Sequence, residues 1–597
     1  MSVSLKIDSS DLSITDIFND FYSVPDFQRE YVWQEANIQK LLEDIYDEFY
    51  DEAGNLVGGP EYFLGSIVVC RGEDGTYKLI DGQQRMTTIF LVFCVIRDIL
   101  IELEQQPPDA LKNKISAASM DPRTGEDVHR YRLTLQYEDS AGVLEKIVAG
   151  EVKVKDIDAT TKSVENIINA YQSIHAFMAT ALENNPQKIK SFLAAFTLRV
   201  KMIRIITPDL AHALKVFETI NDRGVGLNAM DLLKNLLFMK TPGGQYQKLK
   251  DKWKNLIDIL DSCGEKPMRF LRYFIMSHYD IDTQKGLRED EIYGWFQKNA
   301  DLCGINDNPL AFVDLLVERS GAYANFLQAK DVSGVPNRYL SNIVFLSGAT
   351  RQHFILLLAG QHLPSEIFSQ LCKHIENLLF CYFITREQGK VFERNFTRWA
   401  RELRMVKSSS DLDSFVDKYF KPELMSRSNN FDFAFLNLTQ SKIQKYRMRY
   451  ILAKLTQYIE EQAWGNPSHS QLELYLDGSV NIEHILPQSP TMEVRANFDK
   501  PDEYDEYVVK LGNLTLLENT INASISNEAF ERKKAGYRHS QYLLTSSLVE
   551  RPQVGKNTRL NRAVESLMQF DKWDSQAIEK RQEMLTMLAR RVWCLPD

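Results

Sequence analysis

The stretch Leu79-Ile80-Asp81-Gly82-Gln83-Gln84-Arg85-Met86-Thr87-Thr88 marks the junction between a short strand pattern and a long apolar helix pattern. Upstream, residues 62–70 and 77–80 have the composition of two strands, and Asp74-Gly75 between them is a hairpin turn signal. Downstream, residues 87–103 are apolar nearly all round, which predicts a core helix. Asp81, Gly82, Gln83, Gln84 and Arg85 are therefore expected at a helix N-terminus. There, unpaired N–H groups and the positive end of the helix dipole favour an anion, and Arg85 can add a bidentate grip. The same letters also spell an Asp-Gly turn with an N-cap and a surface arginine; a short motif alone does not separate the two.

At 597 residues the chain has the length of about three or four domains. Its 44% hydrophobic and 25% charged content is that of a soluble globular protein. The longest apolar runs, such as 89–96, are far shorter than a membrane span, and no charged-then-apolar leader follows Met1. A cytoplasmic protein with no membrane partner is expected. The seven cysteines form no Cys-x-x-Cys pair, which argues against a disulfide framework and a cysteine zinc site. A net charge of −10 argues against a surface that coats nucleic acid throughout, but leaves room for local basic tracks.

Near the N-terminus, residues 22–33 have an extended pattern in which Gln28 and Arg29 point to opposite sides, so one of them can meet the Asp81 loop. A helix is expected through Ile38, Leu41, Leu42 and Ile45, a loop-rich insertion over 105–125, and strands at 131–135 and 200–206. A helix over 211–220 runs into Asn221-Asp222-Arg223-Gly224, a tight turn presenting Asn221 and Arg223 that also fits a plain helix C-cap. The next helix carries Asp231, Lys234 and Asn235. From 246 to 420 the helical period dominates. There, Arg386, Lys390, Arg394, Arg398 and Arg401 recur at helical spacing on one face, which suits a phosphate backbone as well as it suits a solvated surface.

The C-terminal part carries the most specific chemistry. Val480-Asn481-Ile482-Glu483-His484-Ile485-Leu486-Pro487-Gln488 predicts a short strand stopped by Pro487, Leu511-Gly512-Asn513-Leu514-Thr515-Leu516-Leu517 a second, and a helical stretch with Asn522, Lys533 and Lys534 follows. Phosphodiester hydrolysis needs a base to activate water, a cation to take up phosphate charge, and fixed geometry between them. His484 supplies the base. Glu483 and Asn522 offer oxygen ligands for Mg²⁺ or another divalent cation, Asn513 can orient the imidazole, and Lys533 and Lys534 are placed to hold nucleic acid.

These motifs, with Gln28-Arg29-Glu30-Tyr31-Val32-Trp33, Asp81–Arg85, Phe217–Gly224 and Asp231-Leu232-Leu233-Lys234-Asn235, resemble the GmrSD family of modification-dependent (type IV) restriction endonucleases over nearly the whole chain. The resemblance implies an α+β multidomain protein: a ParB/sulfiredoxin-like, DNA-sensing domain at 1–240, a helical, DNA-contacting middle at 241–430, and a ββα-metal (HNH-like) nuclease domain at 431–597. It implies a nucleoside triphosphate held, and hydrolysed, by Gln28, Arg29, Asp81, Gly82, Gln83, Gln84, Arg85, Asn221 and Arg223. It further implies modified phage DNA as partner and NTP-regulated cutting or nicking, with His484 as base, Glu483 and Asn522 on the metal, and Asn513 in support. The acidic loop at 499–507 is expected to repel DNA until it moves. Two other readings remain: a nucleotide-responsive DNA-binding defence protein with an inactive nuclease domain, and an RNA-cleaving toxin. A homodimer is also open, because one HNH site makes one cut per protomer.

Overall fold

The computed structural model describes residues 7–25, 28, 30–51, 53–59, 61–72, 75–120, 126–136, 142–150, 154, 157–159, 161–221, 229–282, 286–465, 471–525 and 527–596. The chain divides into two compact units, Met1–Asp251 with Phe296–Leu310, and Lys252–Trp295 with Ala311–Asp597. Most helices of the 241–430 stretch thus fall in the same unit as the C-terminal motif.

In the first unit the described strands are β1 (Asp8–Ser13), β2 (Tyr22–Val24), β3 (Tyr62–Arg71), β4 (Tyr77–Asp81), β5 (Ser116–Met120), β6 (Asp127–Tyr131), β7 (Leu133–Leu135) and β8 (Val200–Thr207). Six of them form a mixed sheet in the order β1-β8-β3-β4-β2-β7. β3 and β4 pair antiparallel, as the hairpin signal predicts, while β3 and β8 run parallel; Asp74 of the turn lies outside the described residues. β5, within the stretch 105–125 expected to be a loop, pairs antiparallel with β6 just beyond it in a separate sheet. Ser-Ala-Ala-Ser-Met has no apolar alternation, so its pairing rests on backbone bonds that leave no periodic signal.

The core helix is confirmed. With α1 (Glu35–Phe49), α2 (Gln83–Glu102) and α3 (Lys162–Ala181), the helical side of the core forms, and every residue of α2 from Met86 to Ile96 is buried. Phe18 stacks on Phe90 and meets Phe93 edge-on, so truncating Phe90 to Ala costs about 3–5 kcal/mol. Two further helices, α4 (Leu210–Asn221) and α5 (Ala229–Lys240), follow β8.

In the second unit, β9 (Val480–His484) and β10 (Leu514–Glu518) pair antiparallel, with His484 opposite Leu514 and Glu483 opposite Thr515. The helices used below are α6 (Gly389–Leu403), α7 (Lys445–Trp464), α8 (Asn519–Ile525), α9 (Phe530–Arg538), α10 (Arg559–Val564) and α11 (Ser575–Val592). The first strand stops at His484, short of the predicted Leu486, because the Leu486 N–H bonds to the Asn513 side chain. The second starts late because 511–513 form a tight 3₁₀ turn. Two short helical turns occupy the expected acidic loop, where Asp499 accepts from both the backbone and the hydroxyl of Ser575, and Arg495 pairs with Asp505 at 2.6 Å. Those two carboxylates are therefore already engaged. Among the described residues no helix is long and apolar enough to cross a membrane.

Candidate functional site

In the first unit, Gln28, Asp81, Gly82, Gln83, Gln84 and Arg85 do converge on one cavity, of about 210 Å³. Gly82 starts α2 with φ +87°, and Asp81 accepts from its N–H at 2.8 Å. Burial pushes the Asp81 carboxyl above its usual range, opposed by Arg85, whose Nη2 lies 3.9 Å away. A bulge in β3 sets the arginine. The register slips between Phe63 and Gly65, and the Leu64 carbonyl accepts from Arg85 Nη1 at 3.2 Å. Gly65 holds φ +114°, and a Cβ there would stand 2.0 Å from Nη1, so the position requires glycine.

Two predicted contacts need correction. Gln84 faces the cavity, but its Oε1 accepts from the Val32 and Trp33 N–H groups and its Nε2 donates to the Glu30 carbonyl, so its amide ties residues 30–33 to the helix. Arg85 has one nitrogen already committed to Leu64, which limits the fork expected for an anion. Gln28 behaves otherwise. It is 6% exposed and its Nε2 has no hydrogen-bond partner among the described residues, an arrangement that costs about 1–3 kcal/mol unless a ligand accepts from it. Trp33, Phe217, Asp231, Lys234 and Asn235 complete the wall. Arg29 and Arg223 lie outside the described residues, and Asn221 is described only as the end of α4.

In the second unit the order strand, strand, helix is as expected, but its polar side chains divide sharply. Glu483 and His484 are neighbours on β9 and so face opposite sides. Glu483 turns inward, where its Oε1 accepts from Lys533 Nζ at 2.6 Å and from Tyr537 Oη at 2.8 Å. Lys533 also donates to the His484 carbonyl at 2.8 Å. With both side chains almost wholly buried, Lys533 is a structural cation of α9 and not the DNA contact predicted for it. Lys534 bonds to the Asp571 carbonyl and pairs with Glu531 at 2.9 Å, so it too is engaged.

Asn513 does not touch the imidazole. Fully buried, it accepts at Oδ1 from Leu486 N (2.6 Å) and Trp573 Nε1 (2.9 Å), and donates to the carbonyls of Leu486 (3.0 Å) and Val508 (2.9 Å). It fixes the backbone just after His484. The preceding glycine has its own reason: a Cβ on Gly512 would lie 2.3 Å from the Ile578 carbonyl, so its absence lets α11 close on the motif. From α11, Arg581 donates to the carbonyls of Gly512 and Leu514, both at 2.7 Å, and Gln582 accepts from Gly512 N.

The residue that does bond to the imidazole is Gln440, whose Oε1 accepts from His484 Nε2 at 2.9 Å. With the proton on Nε2, the neutral ring keeps its lone pair on Nδ1. Burial, and then the Lys533 charge, lower the imidazole to about 4, so it is neutral at physiological pH, as a general base must be. Nothing in the sequence singles out Gln440: it stands 44 residues before the histidine in an unremarkable polar segment. Asn522 sits half-buried on α8, which packs on both strands, and its amide makes no hydrogen bond among the described residues.

The predicted metal set was Glu483 and Asn522. With Glu483 held by Lys533 and Tyr537, its carboxylate does not fit a divalent cation beside the base, and Asn522 alone retains that role. Among the described residues no group of three or more His, Cys, Asp or Glu side chains could hold a metal ion.

The description of the N-terminal domain of GmrSD restriction endonucleases matches residues 13–238, and that of the C-terminal domain matches residues 425–588. The chain belongs to the GmrSD restriction endonuclease family. No curated protein matches it. Membership assigns DNA as the substrate and restriction-type cleavage as the activity, and each site described above falls inside one of the two matched regions. The basic face lies between them. On α6, Lys390, Arg394 and Arg398 are exposed and no carboxylate pairs with them among the described residues, as a phosphate track requires. Arg386 donates to the Lys442 carbonyl, and Arg401 is drawn to Asp280 at 3.4 Å, which shortens the expected stripe at both ends.

Proposed function

We propose that this GmrSD family member hydrolyses DNA phosphodiester bonds at His484, in a ββα (HNH-type) arrangement formed by β9, β10 and α8, under control of a nucleotide bound at the Gln28–Arg85 cavity. The observation that carries the nuclease half is the neutral imidazole, fixed through Nε2 by Gln440 with Nδ1 left as the basic atom. In the reaction Nδ1 takes a proton from water while the water oxygen forms a bond to phosphorus and the bond to the leaving oxygen breaks. General base catalysis of this kind is worth about 10²–10⁴-fold. A divalent cation would take up charge on the phosphate; of the residues predicted to hold it, only Asn522 is available.

The nucleotide half rests on Gln28. Its Nε2, unpartnered among the described residues, and Arg85 on the same wall offer donors to phosphate oxygens, and Asp81 offers an acceptor. At about 210 Å³ the described cavity is smaller than the ~300–1,000 Å³ of ordinary ligand sites and suits part of a nucleotide. Modified phage DNA, cytoplasmic action, nucleotide hydrolysis and the pairing of two copies for double-strand cuts complete the proposal.

The decisive experiment incubates the full chain with Mg²⁺, each nucleoside triphosphate, and modified or unmodified phage DNA, with RNA as a parallel substrate. A folded His484→Ala variant that cuts as well as wild type removes the assigned base. The engagement of Glu483 favours one second reading, a nucleotide-responsive DNA-binding protein without nuclease activity, which the absence of cutting with Mg²⁺, Mn²⁺ or Ni²⁺ would support.

A further inference from the structure

Within the second unit, helices α7, α10 and α11 enclose a groove of about 460 Å³ that neither half of the proposed function uses. Arg559 and Arg562 enter it from α10 and Arg591 from α11. The guanidinium groups of Arg559 and Arg591 make no hydrogen bond or ion pair among the described residues, while that of Arg562 is steadied by the backbone and side-chain oxygens of Asn557 at 2.8 and 3.1 Å. The lining holds a single carboxylate, Glu461, and Arg338 already pairs with it at 2.7 Å. Three guanidiniums thus face one concavity on a protein of net charge −10.

The arginines are held by helices and not by loops. Leu560, Ala563 and Val564 of α10 and Leu588 and Ala589 of α11 are buried, so packing fixes the bases of the side chains. Like charges gathered in a concavity repel unless an anion sits among them, and the planar guanidinium fork matches phosphate oxygens. Gln462 and Ser566 add neutral donors to the same lining.

We propose that this groove binds phosphate groups, those of the DNA backbone, as a contact additional to the α6 stripe. Its position fits that use. Arg581 of α11 holds the Gly512–Leu514 turn, and Arg591 lies ten residues further along the same helix, about 15 Å at 1.5 Å per residue. That is a span of a few nucleotides at about 3.4 Å each along a strand. In this proposal the groove receives DNA flanking the cut. The assignment rests on DNA being the substrate, and free polyphosphate is the other source of the same chemistry.

The test measures binding of a fluorescein-labelled DNA duplex to the full chain in EDTA across a salt series. Replacing Arg559, Arg562 and Arg591 together by Ala should weaken binding at least roughly tenfold and flatten the plot of log affinity against log salt by about 0.9 per lost contact, whereas the triple Lys variant should keep the slope. If the triple Ala variant does not fold, Arg591→Glu on the exposed edge of α11 should show the same direction. Wild-type affinity and slope in a folded Ala variant overturn the proposal. So does loss of tripolyphosphate or ATP binding alone, which would make a free nucleotide the occupant. A wild-type chain with no salt-dependent DNA binding fails at the earlier step, the DNA reading itself.

Discussion

The turn at Asp81–Arg85 and the hairpin carrying Glu483 and His484 are both strand ends next to helices, and both concentrate polar residues in an apolar setting. They use those residues differently. Around Asp81 the frame is held mainly by backbone carbonyls, Leu64 for Arg85 and Glu30 for Gln84, and one buried amide, Gln28 Nε2, has no partner among the described residues. Around His484 the polar side chains nearest the ring are satisfied, Glu483 by Lys533 and Tyr537 and Asn513 by four bonds to 486, 508 and 573, while behind them the buried Arg581 keeps Nε and Nη2 without a partner among the described residues. An unsatisfied buried donor on a cavity wall marks a place for a ligand, whereas the satisfied Glu483 and Asn513 make a rigid mount for the backbone on either side of His484.

The largest test of that contrast is His484→Ala, expected to slow cleavage by about 10²–10⁴-fold with an unchanged melting temperature, read by single-turnover assays. The wild-type rate should show its acid limb only as pH falls through about 4, since burial lowers this imidazole from 6.5. The sign for stability is fixed by the same shift. The unfolded chain takes up the proton first, so the stability associated with the neutral ring is present above about 6.5 and is lost as pH falls towards 4.

Next in size is Lys533→Met, which strands the buried Glu483 carboxylate and should cost about 3–5 kcal/mol in urea unfolding, while Lys534→Ala should stay within about 0.5 kcal/mol. Equal effects would mean that the network at Glu483 is not closed. Gln440→Ala should lower kcat by roughly tenfold with KM unchanged, and Gln440→Glu, which keeps an acceptor for Nε2–H, should recover part of it; a KM effect alone would place Gln440 on the substrate instead. The smallest stability change is expected at Gln28. Gln28→Met removes an unpaired donor, so the free protein should be as stable or up to about 1 kcal/mol more stable, yet lose its thermal shift with nucleoside triphosphate. A less stable variant with its nucleotide shift intact would return Gln28 to the frame.

Much of this was legible in the chain. Helix α2 declared itself by a run of apolar residues too long for a strand, the β3–β4 hairpin by Asp74-Gly75, and the β9–β10 pair by Glu-His and Gly-Asn at two strand ends. What failed was the direction of individual polar side chains. Glu483 was assigned to a metal because the cation that occupies it, Lys533, lies 50 residues away on α9. Gln84 was assigned to a ligand because the atoms it binds lie more than 50 residues upstream.

By itself the sequence determined the order of the elements with a clear period, the family, and which residue types stand at each strand end, because periodicity and turn chemistry are local; it left β5 unseen. Only the tertiary structure decided which of two alternating neighbours faces inward. Strand geometry puts Glu483 and His484 on opposite sides, but the choice of side belongs to α9, which brings Lys533 and Tyr537 over one face and leaves Gln440 to meet the other.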